Sequence, residues 1–280
     1  MQQSANPLKT FFRQPAIYVR LPSDGDSWAA GSLDMPVNQE LPVLPMTAMD
    51  EISYRTPDAL FNGAAVVNTI HSCLPNITNA WKMPMIDFNT VLAAIRIASH
   101  GHELDVETEC TNCHETSDFS MDMRSVLDQM TSPNFGETVA IGNLEIYFKP
   151  IIYEEQNAIN IAQFEQQRVL IQLPDMDLDE VEKNRRLDEA IKNITLITIQ
   201  AMQAGIKAIK TPQLLVTEPE HIREFLLNCD RNVHNKIRDH VIKLRVVSEL
   251  APLKINCPHC GHHYEQAFVL DTAHFFANAS

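Results

Sequence analysis

Two pairs of cysteines carry the most specific chemical spacing in this 280-residue chain: Cys110-Thr-Asn-Cys113 and Cys257-Pro-His-Cys260. A two-residue gap lets both thiolates of a tight turn point inward while backbone amides offset their charge. Two such turns supply the four ligands that tetrahedral Zn2+ prefers. Cys110, Cys113, Cys257 and Cys260 are therefore the expected metal ligands, and four thiolates leave no open coordination position, which makes the expected zinc structural. The competing readings are free thiols, a redox pair, or one turn that binds metal with nearby histidines. Cys257-Pro-His-Cys260 has thioredoxin-type spacing, but no strand-to-long-helix context follows it. His114, His259, His262 and His263 crowd the two turns and can substitute as ligands or lie on the surface around them.

The flanks of both turns alternate as strands do. ELDVETE (Glu103 to Glu109) leads into the first pair and DFSMDM leaves it; LKIN and HHYEQAF frame the second. Each pair thus sits at the tip of a hairpin, the plan of a zinc ribbon. The halves are separated by His114 through Asn256, far beyond the roughly 15 to 20 residues of a contiguous site. A ribbon with a folded insertion accounts for this, because loop-closure cost grows only logarithmically with length. Metal then acts as a long-range staple.

The expected fold class is α+β. Residues 1–46, rich in proline but with an alternating Ile17 to Ser23, read as an extended strand arm; residues 47–102 read as a helical region. Within the latter, Thr47 caps a helix with Glu51 four residues on, Thr56-Pro57-Asp58 starts another, and Asp87 opens a helix stopped near Gly101. Residues 103–123 plus 253–272 form the split ribbon, and residues 124–252 form a β-hairpin and a large, mainly helical insert. Gly142-Asn143 marks the hairpin turn, and helices are expected over Tyr153 to Leu173, Asp179 to Ile209 and Pro219 to Leu250. Cys73 and Cys229, the latter on the apolar stripe of the last helix, read as small core residues.

Composition narrows the function. Twenty-two Lys and Arg against 36 Asp and Glu give a formal charge of −14, which disfavours nucleic acid and anionic lipid. The first hairpin carries Glu103, Asp105, Glu107, Glu109, Glu115, Asp118 and Asp122 with no Lys or Arg among them. No apolar run is long enough to span a bilayer and no secretory signal is legible, so a cytosolic protein without a membrane partner is expected. Phosphate-binding, dinucleotide-binding, zinc-protease and nucleophile-elbow motifs are absent from the sequence, and no enzyme is expected.

One stretch carries more. Pro45-Met46-Thr47, Thr56-Pro57-Asp58-Ala59-Leu60, Asn62-Gly63, Ser72-Cys73-Leu74-Pro75 and Ala94-Ile95-Arg96-Ile97-Ala98, in that order, resemble the baseplate hub proteins of T4-like contractile-tailed bacteriophages. The resemblance covers about the first 130 residues and implies a non-enzymatic tail protein. It would be a hub component of the virion, or an assembly factor in the host cytoplasm, whose partners are other baseplate or hub proteins. The reading from a different class is a zinc-ribbon regulator that binds nucleic acid or the transcription machinery.

Overall fold

In the computed structural model, which describes residues 6–54 and 63–268, the Pro-rich start yields two short strands. β1 (Ile17–Val19) and β2 (Leu41–Val43) pair antiparallel with Tyr18 opposite Pro42. Proline is tolerated because each strand of a two-stranded pair is an edge. Val19, Leu21, Leu41 and Val43 are buried in the same core as the helices that follow, so this part of the arm packs on its own body. Leu8, Phe11 and Phe12 remain exposed.

Three helices follow: α1 (Ala48–Tyr54), which packs on its successor but lends no described residue to this core, and α2 (Ala64–Cys73) and α3 (Met85–His100), which supply much of it. Thr47 does cap α1, but its reciprocal partner is Asp50 and not Glu51. The Asp50 amide donates to Thr47 Oγ1 at 3.2 Å, and the Asp50 carboxylate accepts from the Thr47 amide at 2.7 Å. The expected start at Thr56-Pro57-Asp58 lies outside the described residues. Gly63 has φ +78°, and a Cβ there would come within 2.9 Å of Tyr153 Oη, so both backbone and space require glycine. Helix α3 begins at Met85, after Pro84, and not at Asp87. Asp87 falls inside the first turn because the arm uses its carboxylate, which accepts from the Ser23 amide (3.0 Å), Ser23 Oγ (2.5 Å) and Trp28 Nε1 (2.7 Å).

A hairpin of β3 (Glu103–Glu109) and β4 (Thr116–Asp122) follows, then the short α4 (Met123–Gln129), capped by Asp122. Strands β5 (Val139–Ile141) and β6 (Leu144–Phe148) turn at Gly142-Asn143 as expected, with Gly142 at φ +60°. Two long helices, α5 (Tyr153–Gln172) and α6 (Glu180–Ala204), pack against each other.

The expected helix through Ile209 ends at Ala204 instead. Ile206–Lys210 is strand β7, which joins β6 on one side and β8 (Leu215–Val216) on the other in a sheet of order β5-β6-β7-β8. Ile206 and Ile209 bury in the second core from this strand, and their backbone satisfies the free edge of β6. The expected long helix from Pro219 is likewise two, α7 (Pro219–Asn228) and α8 (Arg231–Ser248). Asp230 breaks the run by accepting from the Asn232 and Val233 amides, at 2.8 and 3.1 Å. Cys229 therefore sits half-buried at the break, not on a helical stripe, and its thiol donates to Leu226 O. The last strands among the described residues are β9 (Leu253–Asn256) and β10 (His263–Gln266), which pair as a hairpin.

The second core gathers Ile146, Phe148, Ile199, Met202, Ile222, Leu226, Ile237 and Leu244. Tyr153, at the start of α5, belongs to the first core and stacks on Phe88 with ring centroids 5.0 Å apart. His240 lies against Phe148 at 4.4 Å, and its buried Nε2 has no hydrogen-bond partner. Burial holds its imidazole below the ordinary value, with Lys243 acting in the same direction and Glu137 against it. No helix among the described residues is long and apolar enough to cross a membrane.

Two predictions arise from these cores. Asp87→Ala leaves the buried Ser23 and the half-buried Trp28 donors without their acceptor, and should cost about 2 kcal/mol in denaturant unfolding. His240 takes up a proton more readily unfolded than folded. Its contribution is therefore complete above the unfolded value of about 6.5 and is lost as pH falls through the lower folded value. His240→Phe should lessen the dependence of stability on pH just below about 6.5. The slope that persists there comes from the other depressed histidines, His71 and His100, and at lower pH from carboxylates held down by ion pairs, such as Glu137 and Glu182.

Candidate metal centre

Hairpin β3–β4 carries Cys110 to Cys113 between its strands, and β9–β10 carries Cys257 to Cys260. The two turns are built alike. In the first, the Cys110 amide donates to Glu115 O at 3.0 Å and the His114 amide to Cys110 O at 2.9 Å; in the second, the Cys257 amide donates to His262 O and the Gly261 amide to Cys257 O, both at 2.9 Å. The fifth residue of each turn is left-handed, His114 at φ +58° and Gly261 at φ +71°. This conformation is needed to bring the chain back into a strand; glycine adopts it freely, histidine at some cost.

The turns face each other, and the structure brings all four sequence-expected cysteines together. Cys110 Sγ lies 3.7 Å from Cys260 Sγ, and Cys113 Sγ lies 3.7 Å from Cys257 Sγ. All four sulfurs lie within 4.8 Å of one another. None forms a disulfide, and a contact of this length is far beyond the S–S bond of about 2.0 Å. Four convergent thiols can hold a metal ion. The nearby histidines stay outside this grouping: the exposed His114 points Nδ1 at Glu109 Oε1, 3.0 Å away, and His262 stacks on Tyr264.

The electrostatics of the four thiols are uneven. The His262 amide, followed by the Asn112 side chain, favours the Cys260 thiolate and brings that thiol down to about 6. At Cys113 the Glu115 amide also favours thiolate, but burial and the other three sulfurs prevail and push it up to about 12. Four adjacent thiolates repel one another until a cation balances them, so filling the site with metal would release protons.

Supporting groups were not all visible in the spacing. Asn112 donates its amide N–H to Cys110 Sγ (3.4 Å) and its side chain to Cys260 Sγ (3.6 Å), thereby touching both turns. Tyr264 Oη donates to Thr108 Oγ1 at 3.1 Å across the hairpins. Thr108 and Tyr264 alternate inward with Ile255 on their strands, and that periodicity was the only signal for them. Away from the sulfurs, Pro45 and Ser72, from two of the resemblance motifs, meet at Arg13. Its guanidinium donates to Pro45 O (2.6 Å) and Ser72 O (2.7 Å) and lies 3.5 Å from Asp50. Cys73, adjacent and fully buried, has its thiol raised to about 12 by burial and then by Asp50, which makes it a core residue. Ala94, Ile95, Arg96 and Ile97 of a third motif are buried in α3.

Residues 44–277 match the family described as T4 bacteriophage base plate protein, and the chain belongs to that family. It is thus a structural phage-tail protein whose contacts are with other tail proteins. No curated protein and no solved structure gives a significant match.

Proposed function

We propose that this chain is a component or assembly factor of the baseplate hub, acts through protein contacts and not catalysis, and is stabilised by one structural Zn2+ on Cys110, Cys113, Cys257 and Cys260. The observation that carries the reading is that the matched span, residues 44–277, includes both cysteine turns and the whole insert between them. The family likeness thus spans the whole stretch over which the four cysteines are brought together.

Zinc is favoured by the donor set and by distance. Four thiolates at about 2.3 Å from one ion in a tetrahedron stand about 3.8 Å apart, close to the 3.7 Å of the two cross-turn pairs. In this reading β3–β4 and β9–β10 are the halves of a zinc ribbon, and residues 124–252 are its insertion. Bound zinc would balance the thiolate charge and hold the halves together; the four cysteines fill its coordination, so it would activate no water.

A nucleic-acid role is opposed by the register of β3–β4, which puts Glu103 opposite Asp122 and Glu107 opposite Asp118 on one face. Arg124 neutralises Asp122 alone, at 2.6 Å. Phosphates would be repelled by this face.

Two measurements test the proposal. Purified protein should carry one zinc per chain by elemental analysis. Cys110→Ser and Cys257→Ser should lose it while Cys229→Ser keeps it; equal zinc in all three variants would sink the four-cysteine site. For the hub role, the chain is quantified by mass spectrometry in purified virions and in tail-assembly intermediates of the same infection. Fixed stoichiometry in virions makes it a built-in part, enrichment in intermediates alone makes it an assembly factor, and absence from both refutes the hub reading.

A further inference from the structure

The two hairpins that share the four sulfurs are joined by little else. β3–β4 and β9–β10 are separate two-stranded sheets, and among the described residues no backbone hydrogen bond links them. Apart from the thiol contacts, the hydrogen bonds that cross are Asn112 to Cys260 and Tyr264 to Thr108. The apolar cluster between them is small, consisting of the cysteines with Phe119, Leu253, Ile255 and Tyr264.

Their attachments to the rest of the chain differ. β3–β4 is rooted in the first core through Leu104, with Val106 and Met121 packed beside it, and the Met123 amide donates to His102 O at its base. β9–β10 has no such root of its own. Only Leu250 before it and Phe268 after it pack, partly buried, on the first core. Neither the first core, centred on α3, nor the second, between the sheet and α6 to α8, contains a residue of β9 or β10.

We propose that the metal centre is a local latch: metal occupancy decides whether hairpin β9–β10 is closed on β3–β4, while both cores hold without it. This rests on the metal reading above. Metal binds only the closed arrangement, in which four sulfurs converge, so occupancy shifts the balance between closed and open by mass action. Removal leaves four thiols competing for one small space, with Cys110 and Cys257 buried, and one small apolar cluster to hold them. Opening frees Phe119, Ile255 and Tyr264. It also withdraws Leu253 and Lys254 from the groove that Met121, Val126 and Met130 line with them. The long-range staple expected from the spacing thus becomes a clasp on hairpin β9–β10, and the zinc-free chain presents an apolar surface that the zinc-loaded chain covers.

Hydrogen exchange on the full chain, before and after zinc removal with EDTA and after zinc is returned, tests this, with zinc content measured on each sample. The expected result is loss of amide protection over 253–266 on removal and recovery on return. Val91 to Ile95 in α3 and Ile146 to Phe148 in β6 should stay protected throughout. Zinc that leaves without any change at 253–266 overturns the latch and leaves the metal site standing, as does loss of protection everywhere, which would make the metal a global staple. A purified chain that neither holds nor takes up zinc removes the metal reading itself, and the latch with it. Cys257→Ser should reproduce the open pattern without chelator; should that variant fail to fold, the wild-type arms decide.

Discussion

Burying a helix on all sides is the constraint on which this structure depends. Val91, Leu92, Ala93, Ala94 and Ile95 of α3 are completely inaccessible, so no face of the helix is left for water. Yet α3 also carries Asp87 and Arg96, whose side chains cannot be desolvated without partners. The arm supplies Ser23 and Trp28 to Asp87, although burial still pushes that carboxyl above its usual range against those bonds. Gly101 O and Glu103 O, at the root of β3, lie 3.3 and 3.4 Å from the Arg96 guanidinium nitrogens. Asp87 and Arg96 thereby tie one buried helix to the arm and to the start of the first cysteine hairpin, although Arg96 Nε stays buried without a hydrogen-bond partner.

The features that were legible in the sequence are those with a short-range physical signature. Cys-x-x-Cys turns, alternating flanks and Gly142-Asn143 each state their geometry within a few residues, and their convergence followed from the preference of four thiolates for one ion. The misread segments obey two rules at once. Ile206, Ala208 and Ile209 continue the helical spacing of α6, but Ile206 and Ala208 also alternate, and the free edge of β6 settles the matter at long range. Asp230 and Asp87 are equally good caps in isolation. Asp230 caps because solvent surrounds it, whereas Asp87 does not because Ser23 reaches it first. The Arg13 network could not be read at all, since it joins residues 32 and 59 positions away through backbone carbonyls that no side-chain pattern reports.

The architecture also explains how an insertion this large coexists with a joint this small. α5 starts in the first core through Tyr153 and then runs beside α6, whose far end builds the second core with Ile199 and Met202. The backbone returns from α8 directly into Leu250, which touches the first core again. The insert begins and ends against the same body, so closing it adds little to the entropy already lost in folding it. Its sheet and helices share no core residue with the cluster around the sulfurs.

The order of the two turns along the chain adds a dimension of time. A ribosome adding about 5 to 20 residues per second finishes the turn at Cys113 on the order of 10 s before it reaches Cys257. Throughout that interval the first turn exists without its counterpart, while the helices and sheet between them are still being made. The four cysteines can meet only after the whole stretch between the two turns has left the ribosome.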